Sequence, residues 1–396
     1  MAVEPRISKY LFAKASKSKI PLSGTFELSP CCNLDCRMCY VRKTKQEVNE
    51  LGGEKTVEEW LELARECRDA GMLFLLLTGG EPFLYKDFKR LYLELKKMGF
   101  MISINTNGTL IDEEVVSWLS KNPPYRMQIT LYGGSNETYE RLCRDNKGFD
   151  KTTKAIKMLK EAGIAIKINA SMTQYNIEDL DKIYEFAKEN NVYVQATSYM
   201  FPPTRRNEEA IGIGDRFTPQ EAAHYSVKID QLRLEKDEFS KRAIAMREGL
   251  IKFKSELEEC ESLDSSAEDS DNIENKNIID NEETREKLKC RAGKSSFWIN
   301  WKGEMTACGM MNWPVAYPFK EGLIPAWYKI IDETDKLRMP KKCTKCEKKF
   351  ACTVCGASVV TETGDFEKAP KYICKMTEKI LEETEKAYKL IAPGAK

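Results

Sequence analysis

Residues 25–40 read TFELSPCCNLDCRMCY, a β-prone run followed by Cys32, Cys36 and Cys39 at C-x3-C-x2-C spacing. Three thiolates on one short loop are a metal-ligand arrangement rather than a disulfide pattern. Soft sulfur ligands select zinc, Cu(I) or iron–sulfur clusters. Closed zinc sites and complete iron–sulfur sites take four ligands. Unless a fourth comes from elsewhere in the fold, one metal position stays open to a substrate or cofactor. Cys31 sits one residue too early for the spacing and counts as a neighbour.

Working outward, 25–29 is the first of six β-rich runs, the others being 72–78, 101–105, 126–131, 164–171 and 193–198. Helical patterns lie between them at 57–70, 86–98, 113–121, 151–162 and 177–189. Strand–helix alternation predicts parallel βαβ units. The expected fold is α/β, a partial (β/α)6 TIM-like barrel with active residues at the C-terminal strand ends. The cysteine loop directly follows the first strand.

Helical, charged sequence follows over 219–254. The stretch 256–283 is rich in Asp, Glu, Ser and Asn and reads as an acidic loop, with a lid or a collar for a basic substrate segment as the functional alternative. A second cysteine-rich segment runs from Cys290 to Cys374, and an amphipathic helix is expected over 376–390. The predicted division is an N-terminal segment (1–24), a barrel core (25–215), a helical linker with an acidic insertion (216–289), a cysteine-rich extension (290–375) and a C-terminal helix (376–396).

The chain has 396 residues and a net charge of +1. That balance leaves no basic footprint for nucleic acid and no polybasic signal for a membrane surface. The longest apolar run, 72–77, is too short to span a bilayer, and the N-terminus lacks a secretory signal. A cytoplasmic location is expected. Fourteen cysteines in a reducing compartment are then ligands or core residues, not a disulfide scaffold. Cys67, within a helical pattern, is expected to be structural. His224, the single histidine, lies near no motif, so imidazole chemistry is not expected to be central.

Cys32 to Tyr40 resembles the three-cysteine motif of the radical S-adenosylmethionine (SAM) superfamily. The resemblance implies a [4Fe–4S] cluster on Cys32, Cys36 and Cys39, with SAM chelating the fourth iron. Met38 stands where the family usually has an aromatic residue. Its thioether can pack on an adenine face, and Tyr40 shares that role. Thr78-Gly79-Gly80-Glu81-Pro82 resembles the family's GGEP stretch, whose backbone and Glu contact the SAM amino group. Glycine lets the backbone approach a ligand closely. At further strand ends, Asn105, Asn107, Thr130, Asn169, Ser171, Tyr199 and Met200 are implied SAM contacts. Arg141 and Arg144 are alternatives for the SAM carboxylate, since Arg pairs with carboxylates in bidentate fashion. Helix caps or surface ion pairs are the other reading for each. Cys143 is a candidate hydrogen-atom or proton donor.

The distal cysteines resemble the SPASM extension, which carries two auxiliary [4Fe–4S] clusters. By that pattern Cys343, Cys346, Cys352 and Cys374 complete one cluster, and Cys290, Cys308 and Cys355 supply three ligands to the other. The final x2 spacing, between Cys352 and Cys355, departs from the usual x3. The position of a fourth ligand in some relatives is Thr284 here, a poor iron ligand, so the nearer cluster is expected to be open unless Cys260 reaches it. The competing reading is zinc, since C-x2-C pairs are also zinc-ribbon spacing.

The resemblance thus implies three [4Fe–4S] clusters, SAM, and a 5′-deoxyadenosyl radical that takes hydrogen from an unactivated carbon. It implies a net oxidation that crosslinks a ribosomally made peptide. Alternatives are a sulfatase-maturase-like or tetrapyrrole oxidase and, without enzymatic activity, a zinc-stabilised scaffold. Implied partners are a peptide substrate and a flavodoxin- or ferredoxin-type electron donor. The residues before the first strand are too few for a leader-recognition domain. A separate protein or the helical insert is the alternative recogniser.

Overall fold

The computed structural model describes residues 6–202, 215–249 and 285–392. Six parallel strands pair in chain order: β1 Ser23–Glu27, β2 Phe74–Thr78, β3 Met101–Thr106, β4 Arg126–Thr130, β5 Ile166–Ser171 and β6 Tyr193–Thr197. Helix α1 (Arg6–Lys17) precedes them. α2 (Lys45–Glu50) and α3 (Val57–Asp69) link β1 to β2, and α4 (Phe88–Lys97) links β2 to β3. α5 (Glu113–Lys121), the pair α6 (Asn136–Cys143) and α7 (Gly148–Glu161), and α8 (Leu180–Glu189) make the remaining crossovers.

Local chemistry accounts for these elements. Thr56 and Glu59 form a capping box at the start of α3, satisfying backbone N–H groups that have no helical partner. One face of α3 then buries Trp60, Leu61, Ala64 and Cys67 at helical spacing. Along the strands, Leu75, Leu77, Ile102, Ile104, Met127 and Ile129 are buried at every second position. In β3 and β4 the alternate positions carry Ser103, Asn105, Arg126, Gln128 and Thr130, whereas β2 has Phe74 and Leu76 there, and side chains of successive strand residues leave opposite faces. Strand register aligns them across the sheet: Asn105 with Gln128, Thr130 with Asn169, Asn169 with Gln195, Ser171 with Thr197.

Two strands extend the sheet beyond the six expected. β7 (Ser296–Ile299) pairs in parallel with the free edge of β1, and β8 (Met305–Thr306) runs antiparallel to β7. The cysteine-rich segment is therefore joined to the barrel edge by backbone hydrogen bonds. Trp298 Nε1 adds a bond to Glu27 Oε2 at 3.1 Å. Helices α9 (Pro219–Arg233) and α10 (Lys236–Arg247) pack on the closing helix Lys371–Ile391. That helix starts five residues earlier than the periodicity indicated, because Pro370 precedes it and Cys374 lies in its first turn. The acidic stretch 256–283, Cys260 and Thr284 lie outside the described residues. Among the described residues, no helix is long and apolar enough to cross a membrane.

Candidate functional site

The cysteine loop leaves β1 through Leu28, Ser29 and Pro30 and is held on two sides. On one side, Gly80 N donates to Ser29 O at 2.7 Å and Glu81 N to Cys31 O at 2.9 Å. A Cβ on Gly79 or Gly80 would come far inside contact distance of the Ser29 and Cys31 carbonyl oxygens. The glycines thus permit the close approach of two loops, besides bordering a ligand space. On the other side, Asp35 N donates to Cys143 O at 3.1 Å and Arg37 N to Leu142 O at 3.0 Å. Asp35 also pairs with Arg42 at 3.2 Å and Arg144 at 3.0 Å.

Each cysteine sulfur receives a hydrogen bond. Leu34 N and Asn107 Nδ2 donate to Cys32 Sγ at 3.4 and 3.7 Å, and Arg42 N donates to Cys39 Sγ at 3.3 Å. Cys36 takes bonds from the Cys143 thiol and the Tyr132 phenol, and the first of these holds its pKa below the ordinary thiol value despite burial. Burial pushes the Cys32 thiol up to about 12. Hydrogen-bond donors aimed at sulfur favour the thiolate, the form in which cysteine binds metal, whereas burial of Cys32 works against it.

Cys32, Cys36, Met38, Cys39 and Tyr40 line one wall of a cavity of about 560 Å³. Gly79 and Gly80 border it, and the strand-end groups Asn105, Asn107, Thr130, Asn169, Ser171, Gln195 and Thr197 form its floor. Tyr199, Met200 and Phe201 also line it, as do Gly309 and Met310, next to Cys308. Asn105 Oδ1 is buried and has no hydrogen-bond partner among the described residues. A buried acceptor left unpaired is costly, so a donor from a ligand is expected there.

Four of the expected SAM contacts do not line this cavity. Glu81 is fully buried beneath it, accepting from Thr106 Oγ1, Asn107 N and Phe83 N. Burial raises its pKa to about 7, against those hydrogen bonds. Pro82 begins a 3₁₀ turn behind Glu81. Arg141 donates to Tyr175 O at 2.8 and 3.0 Å, and Arg144 is committed to Asp35. Cys143 is likewise buried and absent from the lining, so it faces the loop from behind. Tyr132, Gln195 and Thr197 line the cavity and were not anticipated. Alternation along each strand is the signal that finds the last two.

The distal cysteines fall into two groups. Cys290, Cys308 and Cys355 pack against one small core around Leu288, Met311, Leu337 and Val359. Cys343, Cys346, Cys352 and Cys374 line a second cavity of about 520 Å³. Among the described residues, no three His, Cys, Asp or Glu donors converge as ligands of a single ion would. Cys32, Cys36 and Cys39 line the same cavity as the unpaired Asn105 acceptor, so soft sulfur donors and a polar group share one space.

Residues 26–187 match the profile of the Radical SAM superfamily. The chain carries a radical SAM domain. It is 28% identical over 183 residues to the AdoMet-dependent heme synthase of Methanosarcina barkeri, covering 46% of this chain and 52% of that protein. It is 29% identical over 168 residues to the sporulation killing factor maturation protein SkfB of Bacillus subtilis, covering 42% and 40%. The chain thus spans about half the length of these curated relatives, or less. The crystal structure of Streptococcus suis SuiB bound to precursor peptide SuiA superposes with a TM-score of 0.62 at 20% identity, covering 91% of this chain and 78% of that one. SuiB has also been solved with S-adenosylmethionine. The radical SAM domain implies SAM and one [4Fe–4S] cluster as cofactors of this fold.

Proposed function

We propose that this chain is a radical SAM enzyme that oxidatively modifies a peptide. The observation that carries the reading is one cavity lined both by Cys32, Cys36 and Cys39 and by Gly309 and Met310, beside Cys308. A substrate there would lie between the radical-generating site and the cysteine-rich extension. The similarity to SkfB and the fold shared with peptide-bound SuiB support a peptide as that substrate.

In this reading Cys32, Cys36 and Cys39 hold the SAM cluster. Cys290, Cys308 and Cys355 hold a second cluster, and Cys343, Cys346, Cys352 and Cys374 a third. When bound, cluster and SAM together supply a carbon radical able to take hydrogen from an unactivated carbon. Met38 and Tyr40 border the adenine side. Gly79 and Gly80 present backbone, and Asn105, Thr130 and Ser171 offer polar groups to ribose and amino-acid moieties. Tyr199, Met200, Phe201 and Met310 keep the far side apolar and exclude water. The chain divides at the boundaries given above, and an electron donor of flavodoxin or ferredoxin type serves it.

The similarity to a heme synthase favours a second reading, oxidation of a tetrapyrrole side chain. Anaerobic reconstitution tests both. About twelve irons per chain and SAM cleavage are expected. Coupling of cleavage to loss of a hydrogen pair from a precursor peptide supports the first reading, and turnover of a porphyrin alone supports the second. Zinc in place of iron overturns both.

A further inference from the structure

Among the described residues lining the SAM-side cavity, none is Asp, Glu, Lys, Arg or His. Alternation along the strands places charge directly beneath. On one face of β4, Arg126 precedes Gln128 and Thr130. On the same face of β5, Lys167 precedes Asn169 and Ser171, and in β6 Tyr193 precedes Gln195 and Thr197. Thr130, Asn169, Ser171, Gln195 and Thr197 line the cavity, so Arg126 and Lys167 lie below its floor. Burial first, and then Arg126, hold the Lys167 pKa below the ordinary lysine value, and no carboxylate offsets them. Arg126 itself lies 5.4 Å over the ring of Tyr125. The buried Glu27 and Glu81 belong to β1 and to the turn after β2, at the other end of the strand order.

Lys167 Nζ donates to Gln195 Oε1 at 2.7 Å. An ammonium has three donors and no acceptor, so it fixes which end of the amide faces it. The Gln195 oxygen is turned to Lys167, and Nε2 with its two N–H donors has no acceptor among the described residues. Gln195 thus offers donors to the cavity with a cation one hydrogen bond behind it. A donor polarised in this way favours an anionic acceptor. The cysteine loop and Gly79–Gly80, where SAM is read, follow β1 and β2, at the far end of the strand order from β6. We propose that Gln195, oriented by Lys167, receives a carboxylate of the peptide substrate, borne by an acidic side chain or by the peptide's C-terminus. The proposal rests on the reading that a peptide occupies this cavity. Gln195 touches the substrate, and Lys167 is a positioning residue that acts through it.

The test uses the reconstituted full chain with SAM and three capped amino acids as probes, with binding measured by titration calorimetry. N-acetyl-glutamate α-amide carries a side-chain carboxylate, N-acetyl-alanine a terminal one, and N-acetyl-glutamine α-amide neither. At least one acid is expected to bind about tenfold tighter than the neutral probe. Preference for the first acid assigns the site to an acidic side chain, and preference for the second assigns it to the C-terminus. Gln195→Leu and Lys167→Met are each expected to remove the preference and Gln195→Glu to invert it, with iron content and SAM affinity as in the parent. Lys167→Arg keeps a cationic donor and is expected to retain most of it. Equal binding of all three probes by the parent overturns the proposal, as does a preference that survives Gln195→Leu. A preference that survives Lys167→Met overturns the positioning role. SAM affinity that falls about tenfold in Gln195→Leu, with iron retained, assigns these donors to the carboxylate of SAM and overturns the substrate site. The peptide reading fails separately, by turnover of a porphyrin alone in the parent protein.

Discussion

Arg216 and Glu362 form an ion pair at 2.6 Å with both side chains less than a tenth exposed. Glu362 also accepts from Tyr199 Oη at 2.9 Å, and Arg216 lies 3.8 Å over the ring of Tyr372. Tyr199 borders the SAM-side cavity, Glu362 belongs to the helix that begins just after Cys355, and Tyr372 stands two residues before Cys374. The pair therefore ties the cavity wall to both distal cysteine groups. Removing one partner leaves a charge buried and uncompensated, at a cost of about 3–5 kcal/mol. Glu362→Ala and Arg216→Ala are each expected to lower stability by that order in chemical denaturation. The double variant is expected to lose clearly less than the sum. Additive losses would show that the two charges do not act as a pair.

Cys143 donates to the sulfur of Cys36 from behind the loop and does not line the cavity. A donor role toward substrate is therefore not expected, whereas an effect on a cluster held by Cys36 is. Hydrogen bonds to ligand sulfur raise the reduction potential of iron–sulfur clusters. Cys143→Ala is expected to retain SAM cleavage and iron, and to shift the first cluster to more negative potential in an EPR-monitored titration. Cys143→Ser keeps a donor and is expected to fall between. Loss of cleavage with an unchanged potential would point back to a role in the chemistry.

The barrel was legible because its signals are local. Apolar runs end in Gly- or Asn-rich turns, and capped helices lie between them. β7 was not legible. The run Ser296–Ile299 is short and sits among cysteines, and its partner β1 lies more than 270 residues earlier, so no local pattern announces the pairing. The distal cysteine sets were expected from the family resemblance; in the structure Cys290, Cys308 and Cys355 share one small core, and Cys343, Cys346, Cys352 and Cys374 line one cavity. Sequence spacing left each arginine two readings, a SAM carboxylate or a local contact, and in the structure Arg141 donates to Tyr175 O and Arg144 pairs with Asp35. Arg144 adopts a left-handed conformation at the end of α6, which turns it onto Asp35, and sequence spacing does not reveal that turn.

Gly79 and Gly80 have their own consequence. Because each faces a backbone carbonyl of the cysteine loop, a methyl group at either position must displace that loop or β2. Overpacking of this kind costs about 1–3 kcal/mol. Gly80→Ala is expected to lower stability by that amount and to reduce iron retained after desalting, since Cys31 adjoins Cys32. Gly364→Ala, at an open left-handed turn with nothing near a Cβ, is expected to cost only its backbone strain and to leave iron unchanged. Equal iron loss in both variants would separate the effect from the loop contact.

Glu81 makes stability depend on pH with a definite sign. Burial raises its folded-state pKa to about 7, above the ordinary carboxylate value of 4.5. Between these values the folded state binds more protons than the unfolded chain, so stability falls as pH rises through that window. The full contribution present below the lower value is of order 3 kcal/mol, and it is gone above the higher one. Glu81→Gln has no such titration, though it sets an amide against Thr106 Oγ1, Asn107 N and Phe83 N, which all donate to this side chain. The variant is therefore expected to be less stable throughout, with a gap to the parent that narrows from about pH 5 to about pH 8. Urea denaturation of both proteins across that range measures the gap. A gap that widens with pH would mean that the three donors hold Glu81 ionised in the folded state despite its burial.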